Sequence, residues 1–335
     1  MVFKMANKGR MIVSLGGTSL TEIERKMLSH PMLAGIILFT QNYKNKDQVL
    51  ALISEIEAIA DLPIFIDQEG GYVQRFGRGF TSLPAPKVFG LTYDIDHDSG
   101  LKLAETYGGI MAKELSEVGV INLGPVCDLD AGNLVISGLS RSFHAQPKAC
   151  SELLFAFTKG MSDYGMSATG KHFPGHGQNN GDTHDNVVVD HRSLEEIEQN
   201  DLVPFLDLIK ANKLAAIMPA HIIYTQVDPN HTAGSSQIWL NDLLRNKYGF
   251  NGVIVSDCLS MKGAGDGSLL DKTEQALSFG DVAIMCHRTP EEFIALLDAL
   301  QENGYELDAM GQERFARWVE GSVAVRSKLA QSLHV

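Results

Sequence analysis

The sequence predicts an α/β protein folded as one (β/α)8 barrel, a single catalytic domain over residues 1–335. Three observations carry that expectation. Short apolar runs recur along the chain, and amphipathic helical segments lie between most of them. No Gly-x-Gly-x-x-Gly follows the first run, where a dinucleotide-binding doubly wound sheet would carry it. A length of 335 residues suits one barrel, and 44% apolar residues can fill its core.

The eight runs are MIVSL (11–15), GIILF (35–39), PIFID (63–67), VINLG (120–124), SATGKHF (167–173), AAIMPAH (215–221), GVIVSD (252–257) and VAIMC (282–286). None alternates cleanly between apolar and polar, which is how parallel strands buried on both faces read. Between them, DQVLALISEIEAIA (47–60) sets Val49, Leu52, Ile53, Ile56 and Ile59 on one helical stripe. Segments 100–119 and 150–165 behave similarly. Segment 193–211 opens on Ser193 with Glu196 three residues on, a capping-box pattern. A helix from about 308 to 329 closes the chain. The stretches 68–98 and 173–192 read as long irregular loops, and 173–192 is expected to be a mobile catalytic loop.

Composition narrows the partners. The formal charge of −13 argues against nucleic acid and anionic membrane as bulk partners. No window approaches the apolar length of a membrane span. Cys127, Cys150, Cys258 and Cys286 are too few and too scattered for a disulfide framework, so reduced thiols are expected. The apolar run after Lys4, Lys8 and Arg10 is too short for a secretory signal. The expectation is a cytoplasmic protein, monomer or weak dimer, acting on a small molecule.

Active sites of such barrels lie at the C-terminal ends of the strands. There the sequence places Asp67 followed by Glu69 and Arg75, Asn122 with Cys127-Asp128, Lys171-His172, His221, Ser256-Asp257 and Cys286-His287. One such residue could brace the rim as an ion pair. Delivered together, they imply a deep polar pocket for a ligand rich in hydroxyls.

The densest stretch is GKHFPGHGQNNGDTHDN (170–186). His172 and His176 are four apart, as two metal ligands on a helix would be, but Pro174 and Gly175 would break that helix. Lys171 precedes the glycines, so the stretch is not a phosphate loop of the G-x-x-x-x-G-K type either. Asp182 and His184 are two apart; a carboxylate there can orient the imidazole and stabilise its protonated form, giving a general acid/base. The plainer alternative is a surface His beside a surface Asp. In GVIVSDCLSMKGA (252–264), Asp257 ends a buried strand as a nucleophile would, or caps the helix that follows.

The chain resembles the β-N-acetylglucosaminidases of glycoside hydrolase family 3, the single-domain bacterial type of peptidoglycan recycling. The resemblance rests on HPMLAGIILFTQNY, FIDQEGGYVQRF, LSRSF, GKHFPGHG followed by DTH, DHRSLEEIEQNDLVPF, MPAH and GFNGVIVSDCLSMKGA. It implies a retaining exo-acting enzyme without cofactor or metal. Asp257 would form a covalent glycosyl-enzyme, and His184 with Asp182 would be the acid/base dyad. Asp67, Arg75, Arg141, Lys171 and His172 would bind N-acetylglucosamine. The implied substrate is a muropeptide or disaccharide in which N-acetylglucosamine is joined to 1,6-anhydro-N-acetylmuramic acid. The sequence departs from the family at Cys258, where an Asp is usual, and in QNNG (178–181) and HTAGSS (231–236). A glycoside phosphorylase on the same fold, a metal-dependent hydrolase using His172, His176, Asp182 and His184, and a non-catalytic sugar-binding protein are the alternatives.

Overall fold

The structure is a computed structural model that describes residues 8–178, 181–183 and 187–332, with 321–332 as backbone only. Among these residues, eight strands form one parallel sheet: β1 (Met11–Ser14), β2 (Leu33–Leu38), β3 (Ile64–Ile66), β4 (Val120–Asn122), β5 (Ala168–Phe173), β6 (Leu214–Pro219), β7 (Val253–Cys258) and β8 (Val282–Met285). Their order is β4-β3-β2-β1-β8-β7-β6-β5. The gap between β4 and β5 is closed by the extension of β4. There Thr169 N–H donates to Gly124 O at 2.8 Å and Cys127 N–H to Lys171 O at 2.6 Å. The result is a TIM-type barrel, and every strand lies within two residues of an apolar run read from the sequence.

The absence of alternation has its cause in two buried faces. Ile12, Phe65, Ile121, Met218, Val255 and Ile284 pack together inside the barrel. Their strand neighbours Met11, Val13, Ile64 and Ile66 join the layer beneath the helices. Trp318, from the C-terminal helix Ala309–Ser332, packs in the interior cluster. It is fully buried, stacks on Phe65 at 4.8 Å and donates its Nε1–H to Thr169 Oγ1 at 3.1 Å. Trp318→Ala is expected to cost about 3–5 kcal/mol of stability, read as a lowered urea midpoint with an unchanged slope.

Three expectations are corrected. Segment 193–211 is two helices, Leu194–Gln199 and Val203–Lys210. Pro204 lacks the N–H that a continuous helix would use, and its ring would strike the Asn200 carbonyl. The capping box at Ser193 and Glu196 does form. Stretch 68–98 is not wholly irregular: it holds an antiparallel hairpin (Gln68–Gly70 with Val73–Gln74) and the helix Pro86–Ile95. Stretch 173–192 likewise contributes a strand, Val188–Asp190, that pairs in parallel with Ile222–Tyr224. His184 lies outside the described residues.

Candidate active site

A cavity of about 1020 Å³ opens at the C-terminal ends of the strands. Asp67, Arg75, Arg141, Lys171, His172, Asp182 and Asp257 all line it. These residues span 190 positions of sequence, and the barrel brings them to one rim because parallel strands all end on the same side.

The hairpin after β3 sets one wall. Its turn is Gly70-Gly71, with φ of +92° and +58°, and a Cβ at Gly70 would lie 2.3 Å from Pro84 O. Only glycine accepts both the left-handed backbone and that approach. Gln68, buried beneath, accepts at Oε1 from the Arg75 and Phe76 amides at 2.9 and 3.1 Å. This fixes the backbone of Arg75, whose guanidinium lies over the Phe39 ring at 5.6 Å. Its buried Nε has no protein partner among the described residues.

Glu69 joins the cations of the rim. Arg141 holds it with two parallel bonds, Nε to Oε2 at 2.7 Å and Nη2 to Oε1 at 2.9 Å. Lys171 Nζ lies 2.7 Å from Glu69 Oε1 and 2.7 Å from Asp67 Oδ1. Burial alone would raise the Glu69 carboxyl, but Arg141 and then Lys171 outweigh it and hold it well below the usual range. For Lys171, burial acts to lower the ammonium, while Asp67 and Glu69 raise it further, so it stays charged. Two of the three Lys171 donors are thereby engaged. The Arg141 fork, expected to serve the ligand, is engaged by Glu69.

Asp128 does the same for the histidines. It is fully buried; its Oδ2 lies 2.7 Å from His172 Nδ1, and its Oδ1 accepts from the amides of His172 at 3.1 Å and His176 at 2.8 Å. Burial raises the Asp128 carboxyl, and His172 and His176 bring it below its ordinary value. An ionised Asp128 makes Nδ1 the protonated nitrogen of His172. His176, kept neutral by burial, touches Asn133 Nδ2 and Thr183 Oγ1, each at 3.4 Å. Thr183 O in turn accepts from the Gly263 amide at 2.8 Å, which seats the Asp182 segment against the short 3-10 turn Lys262–Ala264 that follows β7.

Asp257 is half-buried at the end of β7. Its Oδ1 accepts from the Cys258 amide at 2.6 Å. Burial would raise its carboxyl, but His172 and then His221 outweigh burial and hold it below the ordinary range. His221, itself buried, meets Cys258 O through Nε2 at 3.2 Å. Among the described residues, no group of three or more His, Cys, Asp or Glu side chains could hold a metal.

Sequence reasoning placed Glu69 and Asp128 at strand ends but gave them no role. The signal available was charge. Arg75, Arg141 and Lys171 at one rim need more counter-charge than Asp67 and Asp257 supply, since buried cations are kept only when paired.

A TIM-type barrel whose strand-end cavity holds an ionised carboxylate, Asp257, among the hydrogen-bond donors Lys171, Arg75 and His172 has the architecture of a sugar-processing hydrolase. Residues 6–317 match the glycosyl hydrolase family 3 N-terminal domain. The chain belongs to glycosyl hydrolase family 3, and within it to the β-N-acetylhexosaminidase group. It is 46% identical over 298 residues to a β-hexosaminidase of Chromobacterium violaceum, covering 88% of this chain and 82% of the relative. A β-hexosaminidase of Neisseria gonorrhoeae is 42% identical over 320 residues, 93% of this chain and 85% of the relative. The crystal structure of NagZ from Neisseria gonorrhoeae in complex with N-trifluoroacetyl-D-glucosamine matches with a TM-score of 0.85 at 37% identity, over 97% of this chain and 98% of that one.

Proposed function

We propose that the protein is a retaining exo-β-N-acetylglucosaminidase. Its substrate would be a peptidoglycan fragment in which N-acetylglucosamine is joined to 1,6-anhydro-N-acetylmuramic acid, with or without stem peptide. The work would be cytoplasmic wall recycling, carried out by one catalytic domain whose catalytic loop is 173–192. The observation that carries this reading is the ionised Asp257 at a strand end, within a cavity whose other walls present Lys171, Asp67, His172 and Arg75. The similarity to β-hexosaminidases supports the choice of sugar.

In this reading Asp67, Lys171, His172, Arg75 and Arg141 hold the N-acetylglucosamine ring. Asp257 attacks the anomeric carbon as the aglycone oxygen leaves. The leaving oxygen takes a proton from the His184 imidazolium, whose charge Asp182 stabilises. Neutral His184 then takes a proton from water, and the resulting hydroxide displaces Asp257. Two inversions at the same carbon retain the β configuration. Glu69 and Asp128 are positioning residues: they fix the Lys171 ammonium and the His172 ring in place.

Turnover of an aryl β-N-acetylglucosaminide, compared with the aryl β-glucoside and run with and without phosphate, tests the proposal. The expected result is fast release of N-acetylglucosamine, first as the β anomer, and little action on the glucoside. The α anomer as first product would overturn retention. A sugar 1-phosphate as the main product would overturn hydrolysis.

A further inference from the structure

One histidine at the strand ends has no part in that mechanism. His221 follows β6, and the backbone before it is tied to β5, where the Ala220 amide donates to Phe173 O at 2.8 Å. Its side chain is buried and stands behind the cavity wall, which Cys258 and Met261 help to form. Its Nε2 meets Cys258 O at 3.2 Å. A carbonyl only accepts, so Nε2 carries the proton and donates. Nδ1 is buried with no partner among the described residues. Burying a polar ring costs free energy unless it is hydrogen-bonded, so the bond to Cys258 O is what offsets the burial of His221.

Cys258 is also the residue that orients Asp257. Its amide donates to Asp257 Oδ1 at 2.6 Å, while its carbonyl accepts from His221 and from the Met261 amide at 3.2 Å. Peptide units are planar, so only the two backbone torsions of Cys258 separate the N–H that meets the carboxylate from the C=O that His221 meets. The sheet leaves this residue loosely defined: the register between β7 and β8 shifts between Val255 and Cys258. Such irregularities re-aim side chains next to active sites, and they need a brace from outside the ladder.

We propose that His221 is a positioning residue for the nucleophile: its Nε2–H holds the Cys258 carbonyl and so fixes the direction in which the Asp257 carboxylate points. This role rests on Asp257 being the nucleophile. It asks for a donor at the reach of Nε2 and for no charge. Burial brings the His221 imidazole below its ordinary value, so the ring is neutral at pH 7. A glutamine amide reaches about as far as Nε2 and can donate to the same carbonyl; an asparagine amide reaches only as far as Nδ1.

The test measures kcat and KM on an aryl β-N-acetylglucosaminide for wild type, His221→Ala, His221→Gln, His221→Asn, Asp257→Ala and the Asp257→Ala/His221→Ala double variant. His221→Ala should lower kcat by about 10–10²-fold with KM little changed, since a misplacement of about 1 Å costs up to 10²-fold. His221→Gln should recover most of that loss, and His221→Asn should not. In the Asp257→Ala background, His221→Ala should cost less than about twofold more, because nothing is left to position. A histidine that merely fills space would cost the same in both backgrounds. If His221→Ala folds poorly, the glutamine and asparagine variants, matched by thermal unfolding midpoint, decide the matter. Equal losses in both backgrounds, or glutamine and asparagine variants that fall alike, would overturn the positioning role and leave Asp257 as nucleophile. Wild-type turnover of Asp257→Ala would overturn the nucleophile, and this role with it.

Discussion

Asp257→Ala is expected to lower turnover of an aryl β-N-acetylglucosaminide by about 10³-fold or more, some 4 kcal/mol of barrier at 1.36 kcal/mol per tenfold. In the proposed mechanism, removing the carboxylate removes the covalent intermediate, and water would have to attack a sugar held for a different nucleophile. The loss should fall on kcat with KM little changed, because Lys171, Asp67 and Arg75 still line the cavity. The fold should survive. Asp257 stands at a strand end and accepts one backbone bond, from Cys258, whose loss costs on the order of 1 kcal/mol. The variant should therefore unfold cooperatively near the wild-type temperature. A variant that keeps wild-type turnover would remove Asp257 from the reaction.

His184→Ala is expected to lower turnover of the natural disaccharide by about 10²–10⁴-fold, the range of general acid–base catalysis. The loss should shrink with an aryl leaving group, because a good leaving group departs with little protonation. Breakdown of the glycosyl-enzyme would then limit the rate, since neutral water also needs a base. Azide, a nucleophile that needs none, should restore part of that step and yield a β-glycosyl azide. This pattern separates a proton carrier from a structural histidine, whose removal would affect both leaving groups alike and gain nothing from azide. Equal turnover of wild type and His184→Ala on the disaccharide would end the dyad assignment. Asp182, which lines the cavity, belongs to the same experiment: Asp182→Asn should follow His184→Ala in leaving-group dependence.

Some of this was open to reading along the chain and some was not. A strand such as Met11–Ser14 is legible because both its faces are buried, so it must be apolar throughout over a short length. The break at Asn200–Leu202 inside a helical pattern was overlooked although Pro204 marks it. The hairpin at 68–74 was overlooked because strands two and three residues long leave no periodicity to detect. That Glu69 engages the Arg141 fork was not legible, because the two residues are 72 positions apart.

By itself, then, the order of residues determined the barrel, the rim that carries the polar groups, and the place of Asp67, Lys171, His172 and Asp257 at strand ends. Local patterning suffices there, since burial on two faces and position at a strand end are properties of one segment. Tertiary structure alone decided which charges meet. Glu69 between Arg141 and Lys171, Asp128 beneath His172 and Trp318 against Phe65 all join elements distant in sequence. Such pairs depend on which strands become neighbours and how their registers fall, and no single segment records that.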